Sequence, residues 1–174
     1  MAHRAVTVVA AARESDLAFS KLLESVLEPG YRLACGMLHD PQAAEDAVQE
    51  AALKAWRKIG QLREGDALRP WFLSIVANEC RNIRRSKWWS VLKSAESGDF
   101  EGSSVDSAVR GIEVRQALRS LDQRTRLVLV LHWYLDLPIE EIALITRCSV
   151  HAVESRFYRG LHHLRRRLEA FDAD

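Results

Sequence analysis

The chain has 174 residues and a nearly balanced charge, with 25 lysines and arginines against 24 acidic residues and a net charge of +1. Hydrophobic residues make up 48% of the sequence, which is enough for the cores of one large or two small globular domains. The small net charge excludes a global attraction to nucleic acid, so any affinity for phosphate must come from a local cluster of basic residues.

The three cysteines, Cys35, Cys80 and Cys148, lie far apart and form no CxxC pair. Such a set argues against a disulfide framework and against a zinc site, so we expect reduced thiols in a cytoplasmic protein without metal or cofactor. The first fifteen residues only faintly resemble a signal peptide, because their apolar run is short. We interpret them as a ragged N-terminus. No stretch approaches the roughly 20 apolar residues of a membrane span, so no membrane insertion is expected.

Helical periodicity dominates the first half of the chain and predicts a helical bundle. A first helix is expected to end at the breaker pair Pro29-Gly30, and a second to run from Tyr31 to about Leu38. Asp40-Pro41 then begins a third helix. Its predicted buried stripe consists of Ala44, Ala47, Val48, Ala51, Ala55, Trp56 and Ile59.

The outer surface of this third helix carries four acidic or amide groups, followed by three basic residues, Lys54, Arg57 and Lys58. Acid near the N-terminus and base near the C-terminus complement the helix dipole, which explains most such patterns. The acidic cluster persists past the first turn, however, so a partner surface that carries arginines is also indicated. The four residues are Glu45, Asp46, Gln49 and Glu50.

A polar loop, 60–68, precedes another helix that starts at Arg69-Pro70. Its predicted apolar positions are Phe72, Ile75, Val76, Cys80 and Ile83. The other face combines aromatic, amide and guanidinium groups, which would suit an unstacked single strand of nucleic acid. A core tryptophan beside a solvated helix end explains the same pattern, and from these residues alone both interpretations remain open. The residues of this face are Trp71, Asn78, Arg81, Asn82, Arg84 and Arg85.

An acidic stretch that contains serine and glycine, Ser94–Ser107, lacks a helical stripe and is predicted to be a flexible linker. It divides the chain into a helical domain over 1–90, a linker over 91–108 and a second helical domain over 109–174. The second domain should contain about four helices, the first starting near Val109. The predicted fold is therefore all-α, with two small helical domains joined by a flexible acidic linker.

The residues 139–167 predict a helix-turn-helix, the arrangement in which a second helix enters the major groove of DNA. Ile142, Ala143 and Ile145 give the short first helix an apolar side, and Ser149 is a suitable N-cap for the second. The second helix has an apolar stripe of Val153, Phe157, Leu161, Leu164 and Leu168. Its opposite side carries His151, Glu154, Ser155, Tyr158 and Arg159. A surface helix with a solvated charged face remains the alternative.

The combination resembles the extracytoplasmic-function sigma factors, the minimal two-domain branch of the bacterial sigma factor family. YRLACGML, DPQAAEDAVQEAALKAW and LRPWFLSIVANECRNIRR are similar to the family's second conserved region, in order and spacing. The segment from ALRSLDQRTR to GLHHLRR resembles its fourth region. The resemblance covers nearly the whole chain. It implies a subunit that binds core RNA polymerase, recognises the −10 and −35 promoter elements and promotes DNA opening.

The resemblance also implies a role for each candidate residue. Glu45, Asp46, Gln49 and Glu50 would dock on the clamp helices of core polymerase. The helix 71–85 with the loop 60–68, and Arg69 with it, would bind the −10 element and capture an extruded base, so that binding energy opens the duplex without ATP. The acidic linker would thread toward the RNA exit path, and an anti-sigma factor is an implied partner.

For the −35 element the similar residues are His151, Ala152, Glu154, Ser155, Tyr158 and Arg159, with His132 and Glu140 placed to support the helix or touch the DNA backbone. The sequence departs from the family here, because Ala152-Val153-Glu154 stands where Thr-Val-Lys or Thr-Val-Arg is common. An acid in the groove repels phosphate but can accept a hydrogen bond from a cytosine amino group. We therefore expect an atypical −35 preference.

A stand-alone helix-turn-helix regulator is the main alternative, although the N-terminal half shows neither a dimerisation nor a sensor domain. An anti-sigma-like adaptor would need neither the recognition helix nor the basic run Arg156–Arg167, which holds five arginines, two histidines and no acid. An enzyme is not expected, because the sequence has no HExxH, no glycine-rich phosphate loop and no nucleophile with its base. No catalytic residue is therefore assigned.

Overall fold

We describe the fold from a computed structural model, which describes residues 16–62, 67–91, 114 and 116–171. These residues form helices and turns and contain no β-strand, which confirms the predicted all-α class. The chain divides into two compact units, one ending at Ile83 and the other beginning at Arg84. Each unit is described by itself. The acidic stretch 94–107, the predicted helix start near Val109 and the first fifteen residues lie outside the described part.

The first unit opens with α1, a single helix over Asp16–Leu38 that contains Pro29. The predicted break at Pro29-Gly30 is therefore wrong. An internal proline costs about 3 kcal/mol, but the turns after it are tightly packed: Leu33, Ala34 and Met37 are all fully buried. Packing of these residues outweighs the local cost, as tertiary context often does.

Helix α2, Pro41–Lys58, begins at an N-cap, because the side chain of Asp40 accepts a hydrogen bond of 3.0 Å from the amide of Ala43. Its buried face is made mostly of alanine, which lets α2 pack closely on α1. The predicted stripe is wrong at one residue, since Trp56 is 49% exposed. Trp56 lies about 100° around the helix from the buried Ala55, and so turns toward the outer surface.

A short 3₁₀ turn, Ile59–Gln61, ends this segment, and α3 then runs over Leu68–Val91. The buried residues of α3 include Phe72, Val76 and Cys80 as predicted, together with Leu73 and Ala77. The opposite side of α3, which carries most of the candidate −10 residues, thereby faces away from the core.

In the second unit, residues 116–119 are helical and are followed by α4, Gln123–Leu129, which continues into a π-helical turn, Val130–Tyr134. Helices α5, Ile139–Thr146, and α6, Val150–Phe171, then form the predicted helix-turn-helix. Both pack within this unit, α5 on α6 and α6 on α4.

The contact between α4 and α6 is unusually close at Gly160. A Cβ atom there would lie 2.7 Å from Cγ2 of Thr125 and 2.8 Å from Cδ1 of Leu129. These distances are well below the roughly 3.5 Å of an ordinary carbon contact. Only glycine therefore lets α6 lie this close to α4. The position of α6, the second helix of the helix-turn-helix, depends on this residue.

Candidate nucleic-acid and protein interfaces

The first candidate surface lies on α2, where all four sequence-predicted residues are exposed. Glu45, Asp46, Gln49 and Glu50 alternate with the buried alanines, so the helical period places them on the outward half of α2, over an arc of about 140°. Glu50 also forms an ion pair of 3.3 Å with Lys54, one turn later. The result is a mainly acidic face, which can receive a basic partner.

Two large apolar side chains extend this face toward the C-terminal end of α2. Leu53 is 48% exposed and Trp56 is 49% exposed. Leu53 follows Gln49 by four residues and Trp56 follows Leu53 by three, so the three side chains succeed one another along one side of the helix. The sequence placed Trp56 in the core and did not single out Leu53. A hydrophobic group of this size beside acidic residues is typical of a protein interface.

The candidate −10 residues on α3 fall into two sets. Trp71, Asn78, Asn82 and Arg85 lie within a stripe about 60° wide, with Arg81 at its edge. Arg81 donates hydrogen bonds to the side-chain oxygen of Asn78 and to the carbonyl of Ala77. The stripe therefore combines a partly buried tryptophan with exposed amide and guanidinium groups.

The other two predicted residues, Arg69 and Arg84, lie more than about 130° around α3 from Trp71. Both are partly buried and both make interactions within the protein. Arg84 falls in the second compact unit, as does Arg85 of the stripe, so the position around the helix is what separates it. These two arginines are therefore not brought together with the stripe that contains Trp71 and Asn82.

A polar network of Lys54, Glu79 and Asn82 lies behind the α3 stripe. The sequence did not predict it. Glu79 has a side chain that is only 8% exposed, and its Oε2 lies 2.6 Å from Nζ of Lys54 on α2. The same oxygen accepts a hydrogen bond of 3.4 Å from Nδ2 of Asn82. The hydrogen bond with Glu79, opposed by partial desolvation and supported by Glu50, raises the pKa of Lys54. Lys54 thus remains charged at neutral pH and connects the two helices.

The recognition helix α6 presents its predicted contact residues to solvent. Ser149 is the N-cap, since its hydroxyl accepts a hydrogen bond of 3.2 Å from the amide of Ala152. His151, Glu154, Ser155, Tyr158 and Arg159 are exposed, whereas Ala152 is partly buried. The opposite side packs inward through the buried Val153 and Leu164. An exposed polar N-terminal half of this kind can contact base edges in the major groove of DNA.

Within this surface, the unusual Glu154 faces a neighbour on its own helix. Its Oε2 lies 3.9 Å from Nδ1 of His151, a separation at which a protonated imidazole would form a weak ion pair. Arg159 folds back so that its Nε donates a hydrogen bond of 3.1 Å to the carbonyl of Ser155. Glu140, at the start of α5, is also exposed.

The turn of the helix-turn-helix is fixed by Arg147 and Cys148. Arg147 adopts the left-handed conformation, with φ of 54°, and its amide bonds back to carbonyls of α5. Cys148 accepts a hydrogen bond of 2.9 Å from Nη1 of Arg156 on α6, which lowers the pKa of the Cys148 thiol. This contact ties the turn to the recognition helix.

His132 supports α6 from the π-helical turn. Its Nδ1 lies 3.0 Å from the carbonyl oxygen of Leu137, and its ring meets Phe157 edge-on at 4.8 Å. Trp133, which is 52% exposed, also contacts Phe157, and Phe157 contacts the exposed Tyr158. Of the two roles predicted for His132, these contacts favour the supporting one.

The start of α4 and the helical turn before it are held by two polar residues that the sequence did not reveal. Arg126 is fully buried, and its guanidinium donates hydrogen bonds to the carbonyls of Leu118, Arg119 and Leu121. Asp122 caps α4 by accepting from the amides of Arg124 and Thr125 at 3.0 and 3.1 Å. Both residues stabilise the base on which α6 packs.

Five basic residues of α6 line an open groove: Arg159, His162, His163, Arg166 and Arg167. His163 also contacts the hydroxyl of Ser120 through Nε2 at 2.8 Å. The groove contains no acidic side chain. It concentrates positive charge on a protein whose net charge is only +1.

The cysteines lie apart from these surfaces or serve them structurally. All three are free thiols, and burial raises the pKa of Cys80 to about 12. Within the part of the chain that the structure describes, three or more potential metal ligands are nowhere grouped to hold an ion. No helix of that part is both long and apolar enough to cross a membrane.

Comparison with protein families gives two matches that follow the two units. Residues 22–90 match the model of sigma-70 region 2, and residues 112–164 match the model of sigma-70 region 4. The first match includes α2 and nearly all of α3, and the second includes the helix-turn-helix.

Several curated proteins are similar along most of their length. The RNA polymerase sigma-H factor of Pseudomonas aeruginosa is 30% identical over 141 residues, which cover 71% of this chain and 72% of that protein. The ECF RNA polymerase sigma-E factor of Escherichia coli is 30% identical and the match covers 66% of this chain and 68% of that protein. Sigma factor SigV of Bacillus subtilis is 28% identical, with 82% and 86% covered.

Two solved structures have a similar fold. One is the sigma factor RpoE of Bartonella quintana in complex with the anti-sigma factor NepR, with a TM-score of 0.72, 26% identity, and coverage of 87% of this chain and 96% of that one. The other is CnrH in complex with the cytosolic domain of CnrY, with a TM-score of 0.74, 22% identity and coverage of 95% and 97%.

Proposed function

The chain belongs to the extracytoplasmic-function group of bacterial RNA polymerase sigma factors, and we propose how its surfaces divide the work of promoter recognition. The observation that carries this proposal is the presence of three exposed polar surfaces, on α2, α3 and α6. The outer side of α2 would bind polymerase and the α3 stripe would bind the −10 element. The exposed side of α6 would bind the −35 element.

Core polymerase would dock on the outer side of α2. Glu45, Asp46, Gln49 and Glu50 supply the acidic part of this contact, and a basic surface on polymerase would neutralise them. The exposed Leu53 and Trp56 would fill an apolar site beside it. Aromatic residues at the centre of an interface often carry much of the binding energy, so we assign the largest single contribution to Trp56.

The −10 element would contact the α3 stripe of Trp71, Asn78, Asn82 and Arg85, with Arg81 at its edge. Tryptophan can stack on an unpaired base, and each such contact contributes about 1–3 kcal/mol. Amide groups can bond base edges and arginine can neutralise phosphate. Arg69 and Arg84 would act at the periphery, through long-range attraction to the DNA.

The −35 element would be read in the major groove by His151, Glu154, Ser155, Tyr158 and Arg159. Ala152 would offer a methyl group close to the base edges, while Glu140 would lie near the DNA backbone and His132 would support α6 from behind. Glu154 would select a position whose base offers an amino donor, such as cytosine. The basic groove that begins at Arg159 would add attraction to the DNA backbone.

An anti-sigma factor is a further proposed partner, because the sigma factor RpoE of Bartonella quintana, which has a similar fold, forms a complex with the anti-sigma factor NepR. It would compete for the surfaces that bind polymerase or DNA. Since polymerase and promoter DNA meet in the bacterial cytoplasm, we place the protein's action there. It would catalyse no reaction itself and would need no cofactor.

The test is reconstitution with core RNA polymerase, followed by run-off transcription on a library of genomic promoters. A sigma factor should direct initiation at a selected set of sites that share −10 and −35 sequences. Core polymerase alone provides the baseline. A protein that binds duplex sites unaided and leaves initiation unchanged would instead be a stand-alone helix-turn-helix regulator.

A further inference from the structure

We propose that Lys54 is a positioning residue that couples polymerase docking on α2 to DNA binding on α3. The inference rests on the proposed function and deepens it. It adds a link between two surfaces of the same compact unit, through which occupancy of the first changes the behaviour of the second.

The link is a continuous chain of polar contacts. Glu50 Oε1 lies 3.3 Å from Nζ of Lys54, and Lys54 Nζ lies 2.6 Å from Oε2 of Glu79. The same Glu79 oxygen accepts the side-chain amide of Asn82 at 3.4 Å. Glu50 belongs to the acidic face of α2 and Asn82 to the stripe of α3. Two buried or half-buried groups, Lys54 and Glu79, therefore connect one candidate interface with the other.

The two carboxylates that share Lys54 are not equivalent. The side chain of Glu79 is 8% exposed, whereas that of Glu50 is 47% exposed. A buried carboxylate depends strongly on its counter-ion and its hydrogen-bond donors, because these replace the lost water. An exposed carboxylate is solvated and loses little when its ion pair breaks. Of the two contacts, the one with Glu50 is therefore the exchangeable one.

Polymerase would exploit this difference. When a basic group of polymerase forms an ion pair with Glu50, Lys54 loses its contact with Glu50. The ammonium of Lys54 keeps its charge and donates its hydrogen bonds to Glu79. The Glu79 oxygen that is shared with Asn82 then accepts more strongly from Lys54. The hydrogen bond from Asn82 to Glu79 is already long. It is therefore the weaker of the two bonds to this oxygen and the one that breaks. The N–H of Asn82 that this contact held is then released, and it can bond a base edge of the non-template strand.

Removal of the Glu50 charge should reproduce this effect without polymerase. We expect Glu50→Gln to strengthen binding of the free full-length protein to a single-stranded −10 oligonucleotide about fivefold, a typical size for coupling between sites. The probe is the fluorescein-labelled non-template strand of a promoter identified by the run-off assay, and anisotropy gives the Kd. A scrambled strand of equal length reports non-specific attraction.

Glu45→Gln is the matched control. It removes the same charge from the exposed surface of α2, but Glu45 lies about 140° around the helix from Glu50 and is not part of the chain of contacts through Lys54. Both variants should strengthen scrambled-strand binding equally, and only Glu50→Gln should strengthen −10 binding further. This excess should disappear in a Lys54→Met background and persist in Lys54→Arg, which restores a charged donor.

The side-chain amide resonance of Asn82 gives a second readout that does not depend on affinity. In protein labelled with ¹⁵N-asparagine, Glu50→Gln should shift this resonance, and Glu45→Gln should not. Should Lys54→Met unfold, Lys54→Met with Glu79→Gln removes both buried charges and serves in its place.

Equal effects of Glu50→Gln and Glu45→Gln, on both the Kd and the Asn82 resonance, would overturn the coupling while the proposed function stands. So would an excess that survives in Lys54→Met. Failure of the proposed function looks different: reconstituted polymerase would direct no selective initiation in the run-off assay, whatever the variants do.

Discussion

Substitution of Gly160 by alanine tests whether α6 is held against α4 by direct contact of the two helices. The added Cβ would lie 2.7 Å from Cγ2 of Thr125, and 2.8 and 3.2 Å from Cδ1 and Cγ of Leu129. Threonine in a helix has few rotamers available, and Leu129 is only 1% exposed. Neither side chain can move away without a shift of the helices.

The magnitude follows from two opposing effects. Overpacking of a core costs about 1–3 kcal/mol, and replacement of a mid-helix glycine by alanine returns about 1 kcal/mol of helix propensity. Because the clash involves more than one atom of buried side chains, we place the cost in the upper part of its range. The second unit should therefore lose about 1–2 kcal/mol of stability.

Amide hydrogen exchange, followed by mass spectrometry of peptides, measures this loss where it occurs. Peptides from α4 and α6 should exchange roughly tenfold faster in Gly160→Ala, since 1.4 kcal/mol corresponds to a factor of ten. Peptides from α2 should be unchanged. Gly60→Ala is the control, because nothing lies within 4 Å of a Cβ at Gly60. Equal or slower exchange of α4 and α6 in Gly160→Ala would refute the close contact.

Three further outcomes are expected. Trp56→Ala should weaken binding to core polymerase about tenfold in a competition titration, and the free energy of unfolding of the first unit should not change. A loss of stability without a loss of affinity would instead show that Trp56 has a structural role in the core. Glu154→Lys should raise affinity for promoter DNA and change the preferred −35 base in a competition assay, and unchanged affinity and preference would disprove the role of Glu154. Partial burial raises the pKa of Asp122, but hydrogen bonds from Thr125 and Arg124 outweigh it and lower the pKa overall. Its contribution is therefore present above the unfolded value of about 4 and lost as the pH falls through the lower folded value. Asp122→Ala should cost about 1 kcal/mol at pH 7, and in urea titrations the difference from wild type should vanish at the acidic end.

The helices and the helix-turn-helix could be predicted because their signals are local. The stripe from Val153 to Leu164 repeats at helical steps, and the hydroxyl of Ser149 caps the helix it precedes. The exposed side of α6 follows directly from that stripe. Local signals fail where packing decides the outcome. The predicted break at Pro29 was wrong because the residues after it are fully buried in α1.

The difference between local signals and tertiary packing also explains which residues of the candidate surfaces could not be predicted from the sequence. A tryptophan counts as a core residue in a hydrophobic pattern, but Trp56 is half exposed and extends the α2 face. The contact between Lys54 and Glu79 joins residues 25 positions apart, and no periodicity reveals such a pair. In the sequence, Arg126 resembles any other surface charge. Only the structure shows that it is buried and that it donates hydrogen bonds to backbone carbonyls.

Dependence on polymerase is the most direct test of the account as a whole. The measurement is footprinting of one promoter from the run-off set, with the protein alone, with core polymerase alone, and with both. We expect protection of the −35 element and opening of the −10 element only when both are present. Protection of a duplex site by the protein alone, unchanged by polymerase, would contradict the account.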